Sequence, residues 1–126
     1  MPDPAIPEDV ERFLAEHVES AEQLDALVLL CSSPDRGWTA DALSQALFSV
    51  PQSAAKTLER LRARGFATSD DAPTPTYRYA ADGVDAQRVE RVAAAYRANR
   101  AAVIRLLFAR RDPVRSLADA FRLRKD

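Results

Sequence analysis

The sequence predicts a mainly α-helical domain with one small β-hairpin, and three observations carry that reading. Apolar residues recur at helical spacing along most of the chain, the spacing changes to alternation only between Phe66 and Tyr79, and the breaks carry proline, glycine and capping residues. With 126 residues, 47% of them hydrophobic and 29% charged, the composition is that of a folded soluble chain and not of a disordered one. A domain of this size buries roughly two-thirds of the surface its unfolded chain exposes, so a core forms without staples. The single cysteine forms no internal disulfide, and the single histidine builds no histidine-rich metal site. No cofactor is expected, and neither a phosphate loop nor a Ser/His/Asp arrangement is present to indicate an enzyme. No apolar run approaches the roughly 18 residues of a membrane span, and the start MPDPAIPEDVER is acidic, so a cytoplasmic protein is expected.

Each element has a local cause. Val10, Phe13, Leu14, His17 and Val18 form the apolar stripe of a first helix that starts at Pro7. Ser20 caps a second helix with Gln23 in the capping-box place, and Leu24, Leu27, Val28 and Cys31 form its inner stripe. Cys31, inside LVLLC, reads as a small core residue, and His17 as a packing or surface residue. The segment Ser32–Gly37 is a break, Trp38 has room to form an edge strand, and Thr39 caps a helix running to Leu47. After the turn Phe48, Ser49 and Val50, Pro51 opens another helix, which turns Ala54, Leu58 and Leu61 inward and stops at Gly65. Phe66 to Thr68 and Tyr77 to Tyr79 read as the strands of a hairpin whose loop holds Pro73 and Pro75.

Asp85 then opens the longest helix, expected to run to about Arg111, with Val89, Val92, Tyr96, Asn99, Val103 and Leu106 at alternating spacings of three and four. This stripe is either the seam of a homodimer, with Asn99 fixing the register, or a face packed on the first two helices. Asp112 and Pro113 cap a final helix with Val114, Leu117, Ala118 and Phe121 inward, and the tail ADAFRLRKD either frays into solvent or docks a partner. The chain thus divides into residues 1–84, the N-terminal helices and the core, and residues 85–126, the long helix and the last helix, within one domain.

The formal net charge of −1 conceals an asymmetry: residues 1–50 carry two arginines against ten acids, and residues 51–126 carry sixteen bases against nine acids. Such a split either marks one face for an anion, nucleic acid being the commonest, or is absorbed when arginines after residue 85 pair with acids before residue 50.

The stretch WTADALSQALFSVPQSAAKTLERLRARGFATSDDAPTPTYRY resembles the core of MarR-like and PadR-like bacterial transcriptional regulators, and TLERLRARGF is its most specific piece. The resemblance covers about half of the chain. It implies a winged helix-turn-helix, a duplex DNA partner, transcription regulation and a homodimer. In such a fold the helix after the turn lies in the major groove, and its outward side chains reach the base edges. Here those are Gln52 for adenine, Ser53 for base or backbone, and Lys56 and Arg60 for phosphate or guanine, with Arg62, Arg64 and Arg78 for phosphate. Asp41, Glu59, Asp70 and Asp71 depart from the pattern, because regulators of this kind place cations where the wing tip here carries acids. That departure keeps a second expectation open, a winged-helix adaptor that binds a protein and not DNA.

Overall fold

A computed structural model of the chain describes residues 6–111, with side chains through residue 108. Among the described residues six helices and one antiparallel pair of strands follow in order: α1 (Glu8–His17), α2 (Ala21–Ser32), α3 (Ala40–Leu47), α4 (Pro51–Ala63), β1 (Ala67–Ser69), β2 (Tyr77–Tyr79), α5 (Gly83–Ala98) and α6 (Arg100–Arg111). The mainly helical class with a small hairpin is as expected, β1 lying one residue later than the alternation places it. The final helix and tail expected from Asp112 onward lie outside the described residues.

The helix boundaries have the causes their sequences imply. The Ser20 hydroxyl accepts the Gln23 N–H at 3.1 Å, and Thr39 accepts the Ala42 N–H at 3.1 Å, each satisfying a donor that the first helical turn leaves without a partner. Gln23 is buried, but its side chain accepts from the Glu19 N–H and donates to the His17 carbonyl, so the short α1–α2 link is tied to it. Helix α4 ends in a Schellman arrangement: Phe66 N–H donates to the Leu61 carbonyl and Gly65 N–H to that of Arg62, while Gly65 sits at φ 85°. A side chain there would be strained, and glycine is not.

The core gathers Val10, Phe13, Leu14, Leu24, Leu27, Leu30, Trp38, Leu43, Leu58, Leu61, Phe66, Val89, Val92 and Val103, so elements on both sides of residue 84 share it. Helix α4 packs on α2 and α3, and α5 and α6 close over α1. Strands β1 and β2 pair Ala67 with Tyr79, Thr68 with Arg78 and Ser69 with Tyr77. Trp38 adds an antiparallel bridge to Tyr77, each backbone N–H donating to the other's carbonyl at 2.7 Å, so the edge position expected at Trp38 is occupied. His17 lies against the Phe13 and Phe66 rings; burial, then the nearby Arg88 and Arg64, hold its pKa below the ordinary value.

The single long helix is a correction. Asn99 leaves the helical conformation at φ −157° and ψ 80°, and its side-chain oxygen accepts the Ala102 N–H at 3.1 Å. Asparagine favours such local bonding over helix continuation, so the residue expected to fix a register instead ends α5 and caps α6. Val89, Val92 and Val103 have no exposed surface in the single chain, and Leu106 is partly buried against the same core. Their stripe packs on the chain's own helices and leaves these valines nothing to offer a second copy. Tyr96 is half-buried, and its hydroxyl donates to the Asp25 carboxylate on α2.

A charge at residue 103 therefore has no route to solvent. Val103→Asp is expected to abolish the cooperative thermal transition seen by circular dichroism; a folded variant with changed mass would contradict this packing. Asn99→Ala should cost about 1 kcal/mol in urea unfolding, the usual loss of a side-chain cap.

Candidate functional site

Helix α4 is fixed by its inner face. Ala54, Thr57, Leu58 and Leu61 are buried, and the hydroxyls of Ser53 and Thr57 donate to the two carboxylate oxygens of Glu22 on α2 at 2.8 and 3.1 Å. Ser53 therefore faces α2, not outward as the apolar stripe alone implies. The buried face is wider than Ala54, Leu58 and Leu61, because Ser53 and Thr57 form an i, i+4 row beside it. Pro51 starts the helix without a side-chain cap, and Val50 precedes it in extended conformation.

Of the remaining expected contacts, only Gln52 and Lys56 combine exposure with the absence of any intramolecular side-chain bond or ion pair among the described residues. They stand one turn apart on the N-terminal half of α4, so they share a face. Arg60 lies 3.7 Å from Glu19, and Arg64 reaches the same carboxylate at 2.9 Å and the Glu16 carbonyl at 3.2 Å. Arg62 pairs with Glu59 at 2.8 Å, and Arg78 on β2 donates to the Asp35 carbonyl at 2.6 Å. Three of the expected cations are thus already engaged with carboxylates, and Arg78 only with a backbone oxygen.

The same pairing absorbs much of the charge asymmetry. Arg88 meets Glu16 at 2.8 Å, Arg91 meets Asp9, and Arg100 meets Asp25 at 3.3 Å, each joining the second half of the chain to the first. The pairs lie at the surface, where an ion pair contributes little stability. Their larger effect is to neutralise a basic flank. Arg88 and Arg91 also hold the carboxyls of Glu16 and Asp9 below their ordinary pKa.

Glu59 performs a task that residue type alone does not reveal. It accepts the Tyr77 hydroxyl at 2.5 Å as well as Arg62, tying the outer side of α4 to β2. Arg62 first and Tyr77 second lower its pKa to about 2, while burial and the Glu59 carboxylate push Tyr77 up to about 12. Its spacing to Arg62 is a legible helix pair, but the bond to Tyr77 spans 18 residues and has no local signal.

A second feature lies at the turn into α4. Phe48 caps α3 in the left-handed conformation at φ 55° with 97% of its surface exposed, and Val50 is 59% exposed. Beside them a groove of about 330 Å³ runs between α2, the end of α3 and the α5–α6 junction, lined by Val28, Leu29, Leu47 and Tyr96 with Asp25 and Arg100 at hand. Among the described residues no His, Cys, Asp and Glu cluster could hold a metal, and no helix is long and apolar enough to cross a membrane.

No protein-family model, no curated protein and no solved structure matches the chain.

The low pKa of Glu59 gives a pH test. Its carboxylate supports the fold fully above pH 4.5, and that support is lost as pH falls from 4.5 toward about 2, where the folded-state group protonates. The Tm gap between the native chain and Glu59→Gln should therefore narrow across this window, with a small amplitude because the pair is exposed. A gap that stays constant to pH 2 would show that the carboxylate does not link α4 to β2.

Proposed function

We propose that the protein is a winged helix-turn-helix transcription regulator that binds duplex DNA in the cytoplasm, with α4 as the helix laid in the major groove. The observation that carries this reading is the free face of α4. Gln52 and Lys56 project one turn apart from the N-terminal half of a helix whose other polar residues are engaged within the chain. The element order supports it: α2, the Trp38 bridge, α3, a three-residue turn, α4 and an antiparallel hairpin follow the order of winged helices. In that setting Gln52 suits the N6 and N7 edge of adenine, and Lys56 suits guanine or phosphate. Arg60 and Arg64 act mainly in tying α4 to the end of α1 and its link to α2, and Arg62 in holding Glu59, which in turn accepts from Tyr77.

The reading needs no dimer through the stripe of residues 89–106, since its valines are buried in the chain itself. A twofold assembly on palindromic DNA would use another surface, and light scattering of the complex counts the chains on a site.

A second reading, a winged-helix adaptor for a protein partner, is favoured by the exposed Phe48 and Val50 beside the apolar groove. Exposed aromatic residues next to a concave apolar surface are typical of protein contacts.

Fluorescence anisotropy of labelled duplexes separates the two. A DNA regulator binds a mixed-sequence duplex with affinity that falls steeply as salt rises. On a selected operator, Gln52→Ala should lose about 1 to 3 kcal/mol of preference for the cognate base, and Lys56→Ala should weaken binding by a similar amount. Absence of binding at low salt, together with a partner whose capture is lost in Phe48→Ser, would favour the adaptor.

A further inference from the structure

The only histidine of the chain sits where α1, the end of α4 and α5 meet. Its ring lies 4.9 Å from that of Phe13 and 5.4 Å from that of Phe66, and its carbonyl accepts from Gln23 of α2 at 2.8 Å. Four charges act on the ring: Arg64 at the end of α4, Arg88 and Asp85 on α5, and Glu16 beside it on α1. Both arginines are already paired, Arg88 with Glu16 at 2.8 Å and Arg64 with Glu19 of the α1–α2 link at 2.9 Å. Their side chains are 29% and 28% exposed, whereas those of the other paired arginines Arg12, Arg60, Arg62, Arg91 and Arg100 are 47% to 66% exposed. Water therefore screens the charge of Arg64 and Arg88 least.

The contact between Arg64 and His17 fixes where the ring keeps its proton. A guanidinium only donates, and the two hydrogens of Arg64 Nη1 face the Glu16 carbonyl at 3.2 Å and His17 Nδ1 at 3.4 Å, while Nη2 meets Glu19. Nδ1 is thus an acceptor, and the neutral ring carries its proton on Nε2. A second proton has only Nδ1 to occupy. There it would aim one N–H at another and set a positive ring against a positive guanidinium, so Arg64 has to withdraw. Arg64 is also the residue that ends α4, its backbone N–H donating to the Arg60 carbonyl at 3.2 Å, and Gly65 and Phe66 of the Schellman turn follow it directly. Its side chain is the closest tie from that turn to the α1–α2 link, since Arg60 reaches Glu19 only at 3.7 Å.

We infer that His17 is a proton-operated release for the C-terminal end of α4: a proton on Nδ1 displaces Arg64 from the α1–α2 link and loosens the turn from which the hairpin begins. The release holds whatever partner α4 meets, and so goes beyond the DNA reading. Burial and the two arginines oppose the charged ring, so the contact is complete above the ordinary histidine value of 6.5 and is lost as pH falls through the lower value of the folded chain. Arg64 stands at the opposite end of α4 from Gln52 and Lys56. Its withdrawal changes how firmly the helix is seated and leaves the face formed by those two residues intact.

The test is a pH titration of the full chain by nuclear magnetic resonance, in which the histidine ring signals belong to one residue. The midpoint of His17 should lie below 6.5. Arg64→Gln keeps an amide donor and removes the charge, so it should raise the midpoint toward 6.5 and stop short of it, because Arg88 and burial remain. On the same samples the Gly65 and Phe66 amides, which donate to Arg62 and Leu61, should lose protection against hydrogen exchange several-fold as pH passes below the native midpoint, once intrinsic exchange rates are divided out. His17→Phe keeps a ring between Phe13 and Phe66 and takes no proton, so its protection should stay level over that range; any contribution from Glu59 is common to both chains and cancels. A native midpoint at or above 6.5, an equal midpoint in Arg64→Gln, or amide protection that ignores the titration of the ring would each overturn the release. The exchange measurement on the native chain needs no variant, so it decides the matter even where Arg64→Gln fails to fold.

Discussion

Burial of one face of α4 is the constraint on which the rest of the molecule depends. Leu58 and Leu61 are fully enclosed, and Ser53 and Thr57 beside them are bonded to Glu22, so the helix cannot rotate without opening the core and breaking two hydroxyl–carboxylate bonds at once. Rotation about the helix axis decides which residues meet solvent. With the inner face fixed, Gln52 and Lys56 are presented and Glu59 is brought to Tyr77. The Schellman turn at Gly65 then delivers the chain into β1, and β2 returns beside it to receive the bridge from Trp38.

The arginine pairing describes a second layer of organisation. A basic C-terminal half and an acidic N-terminal half need not produce opposed faces, because Asp9, Glu16, Glu19 and Asp25 each receive an arginine from later in the chain. Among the described residues Arg36, Lys56, Arg78 and Arg97 are exposed cations with no carboxylate at ion-pair distance, and their positions on the fold are more informative about a partner than the total charge.

Much of this was legible where the cause is local. Ser20, Thr39 and Gly65 act through bonds within three residues of themselves and Pro51 through its fixed φ, so the boundaries of α2, α3 and α4 follow from residue type. The hairpin was legible from its change of period. Asn99 misled because spacing and capping compete at one position: it matched the apolar repeat, but its side chain satisfies the backbone of the next helix. Ser53 is polar without being outward, because only the distant Glu22 turns it toward α2. The asymmetry of charge was visible in sequence, but which arginine meets which acid depends on separations of 41 to 82 residues.

The position of α1 has a consequence for how the chain assembles. Its apolar face, Val10, Phe13 and Leu14, is covered by α5, α6 and Phe66, and its acids by Arg88 and Arg91. Helix α1 thus completes its docking surface only with α5 and α6, which come 66 or more residues later in the chain. During synthesis α2 to β2 can collapse around α4 while α1 remains tethered and amphipathic, and the long-range closure with α5 completes the domain. Helix α1 is in this sense a latch that closes only after the segment containing α4 and the hairpin has left the ribosome.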